Sequence, residues 1–275
     1  MKLETLFLQP KALPTIPKVM QELIASFNDD NASIGQLVQH ISSDQVLSAN
    51  LLRLANSAYF QVPYTVATVA DAVAKLGFVN VRTLVISMGL TGSFKNIRGI
   101  DAKQFWRHNL HTAVASRHLV TPLGLNANVA FTSGLMHTIG ELVMHLAMPQ
   151  EMLKMDETLA LLDPQRLAAE QNAFGYTHAE VGAELARRWQ FPLVFASAIS
   201  GSGNPLAQTM FDPLAALIHI AAWRSRAQEN KLSAAEIQAT WPADVAARIA
   251  LPSASVLQNL PSLEELSGSM QDLLN

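Results

Sequence analysis

The chain has 275 residues, of which 49% are hydrophobic and 15% are charged, and it carries a formal net charge of −3. The length suits one large domain or two small ones, and the small charge gives no general attraction to nucleic acid or anionic lipid. The absence of cysteine excludes disulfides and thiolate metal sites. The first ten residues lack the apolar core of a signal peptide, and no apolar run reaches the roughly 18 residues of a membrane span. We therefore expect a cytoplasmic protein.

Helix-forming patterns begin near the N-terminus. The segment Leu13–Pro17 leads into a first predicted helix, because apolar residues then recur at helical spacing. Ser33 and Asp44 stand where the N-caps of a second and a third helix are expected. Thr68 is followed three residues later by an aspartate, which predicts a capping box. A further helix is predicted from Asn80 to Leu90.

The polar segment Thr91–Gly99 divides the sequence into two predicted helical parts. We assign residues 1–95 to an N-terminal helical subdomain and residues 96–275 to a second subdomain with a C-terminal helical tail. No run of alternating β-branched residues stands out, so we predict an all-α fold, a multi-helix bundle of two packed subdomains. Helices of the second part are predicted to begin at Asp101, at Asn126 or Asn128, at Asp163, at Thr177, at Pro192 and near residues 211 and 233.

The helix predicted to run to Pro149 contains the apolar segment Gly134–Met144, which carries one histidine, His137. A neutral imidazole can ligate a transition metal, and a metal site would place an aspartate directly after it. The next residue is Thr138, whose hydroxyl brings no negative charge. The segment therefore has the outline of a metal-dependent hydrolase helix with one ligand missing. Its glycines, Gly134 and Gly140, are expected to let a neighbouring helix approach closely.

Several motifs stand in an order that closely resembles the HDOD family, a group of helical proteins tied to bacterial signalling. The family is related to the HD phosphohydrolases, whose site binds one or two metals through His and Asp ligands and is commonly degraded in HDOD proteins. The resemblance runs from about Leu13 to Ala222 and implies that the second subdomain is HD-like. The motifs that carry it are Leu13–Pro17, Ile41–Asp44, Leu52–Phe60, Ala72–Gly77, Phe105–Asn109, Ala130–Gly140 and Thr177–Gly182.

The resemblance also assigns positions to a vestigial HD pocket, whose histidines we expect to face one cavity. Histidines remain at three of its positions, whereas both carboxylates and two further histidines are replaced. We therefore expect no catalytic residue, no cofactor and no bound metal. Three imidazoles could still hold a zinc, so a single residual or adventitious metal ion at the histidine cluster stays an open alternative. The pocket positions are His108, His137, Thr138, His178, Ser202, Gly203 and Ala222.

Three functions compete. We favour a non-enzymatic signalling module that binds a protein partner or senses a small-molecule ligand. The alternative is a metal-dependent phosphohydrolase, acting as a phosphodiesterase with a reduced site. A DNA-binding regulator is disfavoured, because the helix-turn-helix outline of Ser33–Phe60 offers only Arg53 on its second helix and phosphate binding needs several basic residues. We expect neither a nucleic-acid nor a membrane partner.

One further motif has two interpretations. It consists of Asn56, Ser57, Tyr59 and Phe60, and it could form an interaction surface. Asn and Ser also close helix ends by bonding to nearby backbone, and we favour that structural interpretation.

Overall fold

The computed structural model describes residues 2–9, 13–27, 33–57, 60, 64–120, 123–251, 261–268, 270 and 271. Across these ranges the secondary structure is helical and includes no β-strand, which confirms the predicted all-α class. No helix within them is both long enough and apolar enough to cross a lipid bilayer.

The first part of the chain begins its helices where the capping residues predict. The hydroxyl of Ser33 and the carboxylate of Asp44 each accept a backbone N–H of the helix that follows, and Thr68 forms the predicted capping box. The helix predicted from Asn80 begins two residues earlier, directly after Gly77, whose φ of 79° makes the turn. The helices are α1 (Leu3–Leu6), α2 (Lys18–Ala25), α3 (Ile34–Ser43), α4 (Gln45–Ala55), α5 (Val69–Leu76) and α6 (Phe78–Ser93).

The second part supplies the helices that surround the site. A 3₁₀ turn, Pro205–Ala207, precedes the long helix that begins at Pro213. The helices are α7 (Ala102–Leu119), α8 (Ala127–Met136), α9 (Ile139–Ala147), α10 (Pro149–Asp156), α11 (Arg166–Phe174), α12 (His178–Arg188), α13 (Leu193–Ser202), α14 (Pro213–Glu229), α15 (Ala234–Thr240), α16 (Ala243–Arg248) and α17 (Leu263–Ser267).

The single helix predicted through His137 is wrong, because the chain breaks between α8 and α9. His137 is the C-terminal cap of α8, and Thr138 has φ −109° and ψ 11°, outside the helical region. The His137 ring lies 2.7 Å from the carbonyl oxygen of Gly134 through Nδ1. In a continuous helix, the backbone N–H of Thr138 would donate to the carbonyl oxygen of Gly134. Here the His137 side chain donates to that oxygen instead. The break places His137 and Thr138 together at a bend.

Both parts of the chain contribute to one hydrophobic core. The same buried cluster holds Leu84 and Leu90 of α6 together with Phe131 and Leu135 of α8. The division at residues 95 and 96 therefore separates two stretches of sequence that share apolar contacts, and it stays a prediction.

The close helix approaches expected at two glycines are confirmed. A Cβ atom added to Gly134 would lie 2.9 Å from the Cα of Ala113 on α7. A Cβ atom added to Gly140 would lie 1.9 Å from the carbonyl oxygen of His178 on α12. These contacts hold α8 against α7 and α9 against α12, which fixes the histidines of those helices relative to one another.

Candidate functional site

A cavity of about 320 Å³ lies between α7, α12, α13 and α14 and the bend after α8. The rings of His108 and His137 lie 5.2 Å apart between centroids in its wall. His219 and Arg226 of α14 also line the cavity, and neither was among the predicted pocket residues. The predicted residues all line it, namely His108, His137, Thr138, His178, Ser202, Gly203 and Ala222. Their role as a vestigial metal pocket stays a prediction.

His108 and His137 are neutral imidazoles with one tautomer fixed by hydrogen bonds. The Ser225 hydroxyl donates to the His108 carbonyl oxygen, so it accepts from the His108 Nδ1 at 2.8 Å. The His137 Nδ1 donates to the Gly134 carbonyl oxygen. Burial lowers the pKa of His108 well below its ordinary value and that of His137 to about 3. Both Nε2 atoms therefore keep a lone pair at neutral pH.

His219 repeats this arrangement on α14. Its Nδ1 lies 2.8 Å from the carbonyl oxygen of Ser202, to which it donates. Burial lowers the pKa of His219, and the hydrogen bond to Ser202 only partly offsets the effect. The cavity wall thus holds three neutral imidazoles.

Thr138, which the resemblance predicts to stand in place of an aspartate, makes a structural hydrogen bond. Its hydroxyl donates to Oδ1 of Asn109 at 2.9 Å, and the Asn109 Nδ2 donates to the carbonyl oxygen of Phe105 at 2.9 Å. The position therefore links the start of α9 to α7 and offers no negative charge to a cation.

Beneath the cavity lies a group of charged side chains that we call the buried ion-pair cluster: Glu141, Asp156, Arg166, Glu170 and His178. Arg166 is 1% exposed and donates from Nε and Nη2 to the two oxygens of Glu141, at 2.7 and 3.1 Å. Its Nη2 also lies 2.8 Å from Oδ1 of Asp156. The guanidinium thus has two close carboxylate partners, as a buried cation requires.

His178 joins this cluster as a cation. Its Nδ1 lies 2.9 Å from Oε2 of Glu170 and 3.2 Å from Oε1 of Glu141. Burial by itself lowers the pKa of His178, but the two carboxylates outweigh burial and raise it to about 10. The pKa of Glu141 is lowered despite burial, because His178 and Arg166 favour its ionised form. His178 is therefore an imidazolium at neutral pH.

The metal centre implied by the HD phosphohydrolases can be compared with these donors. In the part of the chain that the structure describes, one group offers three ligand atoms within 4.8 Å of one another, and it consists of Glu141, Glu170 and His178. Arg166 is bonded to both oxygens of Glu141, and a metal at this group would have to displace the proton of His178 as well. The neutral imidazoles of the cavity form no such group. The residues present therefore do not fit a metal centre of the HD type.

The sequence prediction missed Glu141, Arg166 and Glu170. Glu141 did carry a signal, because it interrupts the apolar segment of α9 and a charged residue on a buried face needs a partner. Its partners are Arg166, 25 residues away on α11, and His178, farther along the chain on α12, so only the packing of these helices identifies them.

The structural interpretation agrees with the bonds of Asn56 but not with Ser57, whose buried hydroxyl has no hydrogen-bond partner among the described residues. Asn56 Nδ2 donates to the carbonyl oxygens of Leu52 and Val66, each at 2.8 Å, and its Oδ1 accepts from the Val66 amide at 2.7 Å. The Asn56 side chain thus ties the end of α4 to the loop before α5. Phe60 packs against the hydrophobic core, and Tyr59 lies outside the described residues.

Replacing Asn56 with alanine is expected to lower the free energy of unfolding by about 1–3 kcal/mol, because the Val66 amide and carbonyl lose their partner. Asn50 on the same helix has no side-chain hydrogen bond to the described residues, and Asn50→Ala is expected to change stability by less than about 0.5 kcal/mol. Urea unfolding of both variants measures the difference. Equal stabilities would indicate that Asn56 serves a surface role instead.

The stability of the protein is expected to fall with rising pH above about 6.5, the ordinary pKa of His178. Below that pH, folded and unfolded chains both bind the proton and the full stabilisation is present. Between about 6.5 and about 10 the unfolded chain loses the proton while the folded chain keeps it. The slope contributed is at most about 1.4 kcal/mol per pH unit.

Urea unfolding between pH 7 and 9 measures this slope, and NMR of the His178 ring measures its protonation directly. The pKa values of His108, His137 and His219 are lowered, so these residues change the stability only at acidic pH. They do not contribute to the slope between pH 7 and 9. A His178 ring signal that titrates near pH 6.5 would contradict the assignment.

Comparison with known proteins places this geometry in a family. The HDOD domain model matches residues 13–205. The crystal structure of a proposed phosphohydrolase from Shewanella amazonensis SB2B is 29% identical, with a TM-score of 0.81, and the match covers 99% of this chain and 97% of that one.

Two more distant structures share the fold. An HDOD domain protein of unknown function from Geobacter sulfurreducens is 22% identical with a TM-score of 0.71, over 98% of this chain and 94% of that one. A proposed signal transduction protein from Marinobacter aquaeolei VT8 is 24% identical with a TM-score of 0.67, over 98% of this chain and 59% of that one.

Among curated proteins, an uncharacterized protein of Treponema pallidum is 28% identical over 214 residues. The match covers 76% of this chain but only 41% of that relative, so this chain spans about two fifths of its length. The family match extends over more than half of the chain and agrees with the helical fold around the histidine-lined cavity. The chain belongs to the HDOD family.

Proposed function

We propose that this protein is a non-enzymatic signalling regulator that works through a protein partner or a small-molecule ligand in the cytoplasm. The proposal is carried by the contacts that His178 and Thr138 make at the predicted metal-binding positions. His178 is held as a cation by Glu141 and Glu170, and Thr138 donates its hydroxyl to Asn109. Positions that would hold a metal in an HD enzyme are here engaged in internal contacts.

The physical requirements of metal-assisted hydrolysis support the same conclusion. A catalytic cation must be held firmly and must acidify a bound water. Arg166 and His178 are paired with carboxylates of the buried ion-pair cluster, and Arg226 adds a guanidinium to the cavity wall that repels a divalent ion. The similarity to a signal transduction protein concerns the fold and is compatible with a regulatory role.

The alternative is a phosphodiesterase with a reduced site, and one observation favours it. His108 and His137 each keep an Nε2 lone pair in the wall of one cavity, with the other nitrogen donating to oxygen. This tautomer is the one that metal-binding histidines adopt. The relative described as a proposed phosphohydrolase shares 29% identity.

Turnover of bis(p-nitrophenyl) phosphate and of cyclic dinucleotides separates the two functions. The purified protein is tested with added Mg²⁺, Mn²⁺, Zn²⁺ or Fe²⁺, beside the His137→Ala variant as the control for contaminating enzymes. The regulatory proposal expects the same background rate for both proteins. Hydrolysis by the natural sequence that His137→Ala abolishes would establish the phosphodiesterase instead.

A further inference from the structure

Arg226 projects from α14 into the wall of the histidine-lined cavity. It is partly buried, and burial lowers the pKa of its guanidinium. Within the described ranges, its side chain makes no hydrogen bond or ion pair. A partly buried guanidinium without an anionic partner is unfavourable, because it loses hydrogen bonds to water and gains none from the protein. Arg226 therefore has free donors at a cavity surface.

The other cations of the cavity wall already have carboxylate partners. Arg166 and His178 belong to the buried ion-pair cluster, where Glu141, Asp156 and Glu170 offset their charges. Asp163 is the carboxylate among the lining residues, and its Oδ1 accepts the Gln165 amide at 2.8 Å. Arg226 thus adds a cation that no lining carboxylate neutralises.

His137 adds an unpaired hydrogen-bond acceptor to the cavity, whereas Arg226 adds donors. Its Nε2 is buried and has no hydrogen-bond partner, while its Nδ1 donates to Gly134. The free atom is therefore an acceptor, which a hydroxyl group would satisfy. A metal cation would also satisfy a lone pair, but the guanidinium of Arg226 lines the same cavity and repels it. The two unmet groups together favour a ligand with an anion and a hydroxyl.

We propose that the histidine-lined cavity binds a small phosphorylated metabolite with a free hydroxyl, whose phosphate pairs with Arg226 and whose hydroxyl donates to His137. Guanidinium groups bind phosphate through paired hydrogen bonds, which makes Arg226 suited to this role. The volume of about 320 Å³ lies at the small end of ligand sites and suits a molecule the size of a sugar phosphate. The inference rests on the proposed regulatory function, since it supplies a ligand that is sensed and left intact.

Isothermal titration calorimetry with ribose 5-phosphate, methyl phosphate and ribose tests this site. Ribose 5-phosphate is expected to bind, methyl phosphate to bind more weakly because it lacks a free alcohol, and ribose to give no heat. Arg226→Gln is expected to weaken ribose 5-phosphate binding by about tenfold or more. Arg98→Gln removes the same charge from an exposed position outside the cavity and is expected to leave the affinity unchanged.

Three results would overturn the inference. They are the absence of binding by either phosphate at millimolar concentration, equal losses in the two arginine variants, and Zn²⁺ binding that phosphate does not affect. Thermal unfolding confirms that Arg226→Gln is folded, which is expected because the guanidinium has no internal partner to lose. Phosphate release is measured in the same samples: binding with release would contradict the regulatory function while leaving the anion site established, whereas failure to bind contradicts the anion site alone.

Discussion

Replacing Arg166 with methionine is expected to lower the free energy of unfolding by about 3–5 kcal/mol. The substitution keeps a long side chain of similar reach but removes the cation that binds Glu141 and Asp156. The Glu141 carboxylate is 1% exposed, so it cannot turn to water for compensation. Glu141 would then share a single cation, His178, with Glu170, and leaving buried carboxylates under-compensated is among the most destabilising single changes. Urea unfolding monitored by circular dichroism measures the loss.

Arg187→Met is the matched control for this experiment. Arg187 pairs with Glu184 at 3.3 Å, and its side chain is 48% exposed. An exposed pair of this kind contributes about 0–1 kcal/mol, so the control is expected to stay near the stability of the natural sequence. A loss for Arg166→Met no larger than that for Arg187→Met would contradict the buried ion-pair cluster. Adding Glu141→Gln to Arg166→Met is expected to recover part of the loss, because Glu170 then no longer shares the His178 cation with a second buried carboxylate.

Replacing Gly140 with alanine is expected to cost about 1–3 kcal/mol or more of unfolding free energy. The added Cβ would lie 1.9 Å from the His178 carbonyl oxygen and 2.7 Å from the Gly182 amide nitrogen. Both contacts are with backbone, so a change of side-chain rotamer cannot relieve them. The helices α9 and α12 must separate, and that separation also displaces His178 from Glu141.

Gly92→Ala provides the comparison for this substitution. Gly92 is an exposed residue of α6, and a Cβ added there meets no atom within 4 Å. Helix propensity then favours alanine by up to about 1 kcal/mol, so this variant is expected to match or exceed the natural stability. If Gly140→Ala were as stable as Gly92→Ala, the close approach of α9 to α12 would be wrong.

Local sequence signals located the starts of the helices well, but they failed where tertiary contacts determine where a helix ends. Ser33, Asp44 and Thr68 begin their helices as predicted, because each satisfies an N–H group of its own first turn. The break at His137 was missed, since an apolar segment without proline gives no local reason to end a helix. Close packing against α7 and the bond from His137 to Gly134 supply that reason.

The residues of the cavity also divide into those that the sequence could identify and those that only the packing reveals. The family resemblance selected positions that do line one cavity, including Ala222 on α14. Helical periodicity could have identified His219 and Arg226 as well. His219 stands three residues before Ala222 and Arg226 four residues after it, which places all three on one helix face. The buried ion-pair cluster was beyond reach, since it depends on how α9, α11 and α12 pack.

Elemental analysis of the purified protein tests the central claim most directly, which is that the HD positions no longer hold a catalytic metal. The protein is produced in medium supplemented with manganese, iron and zinc, purified without chelator and desalted before measurement. We expect well below one equivalent of any transition metal, because His178 is protonated and Thr138 replaces the carboxylate. Near one equivalent of metal in the natural sequence, lost in both His108→Ala and His137→Ala, would contradict the account.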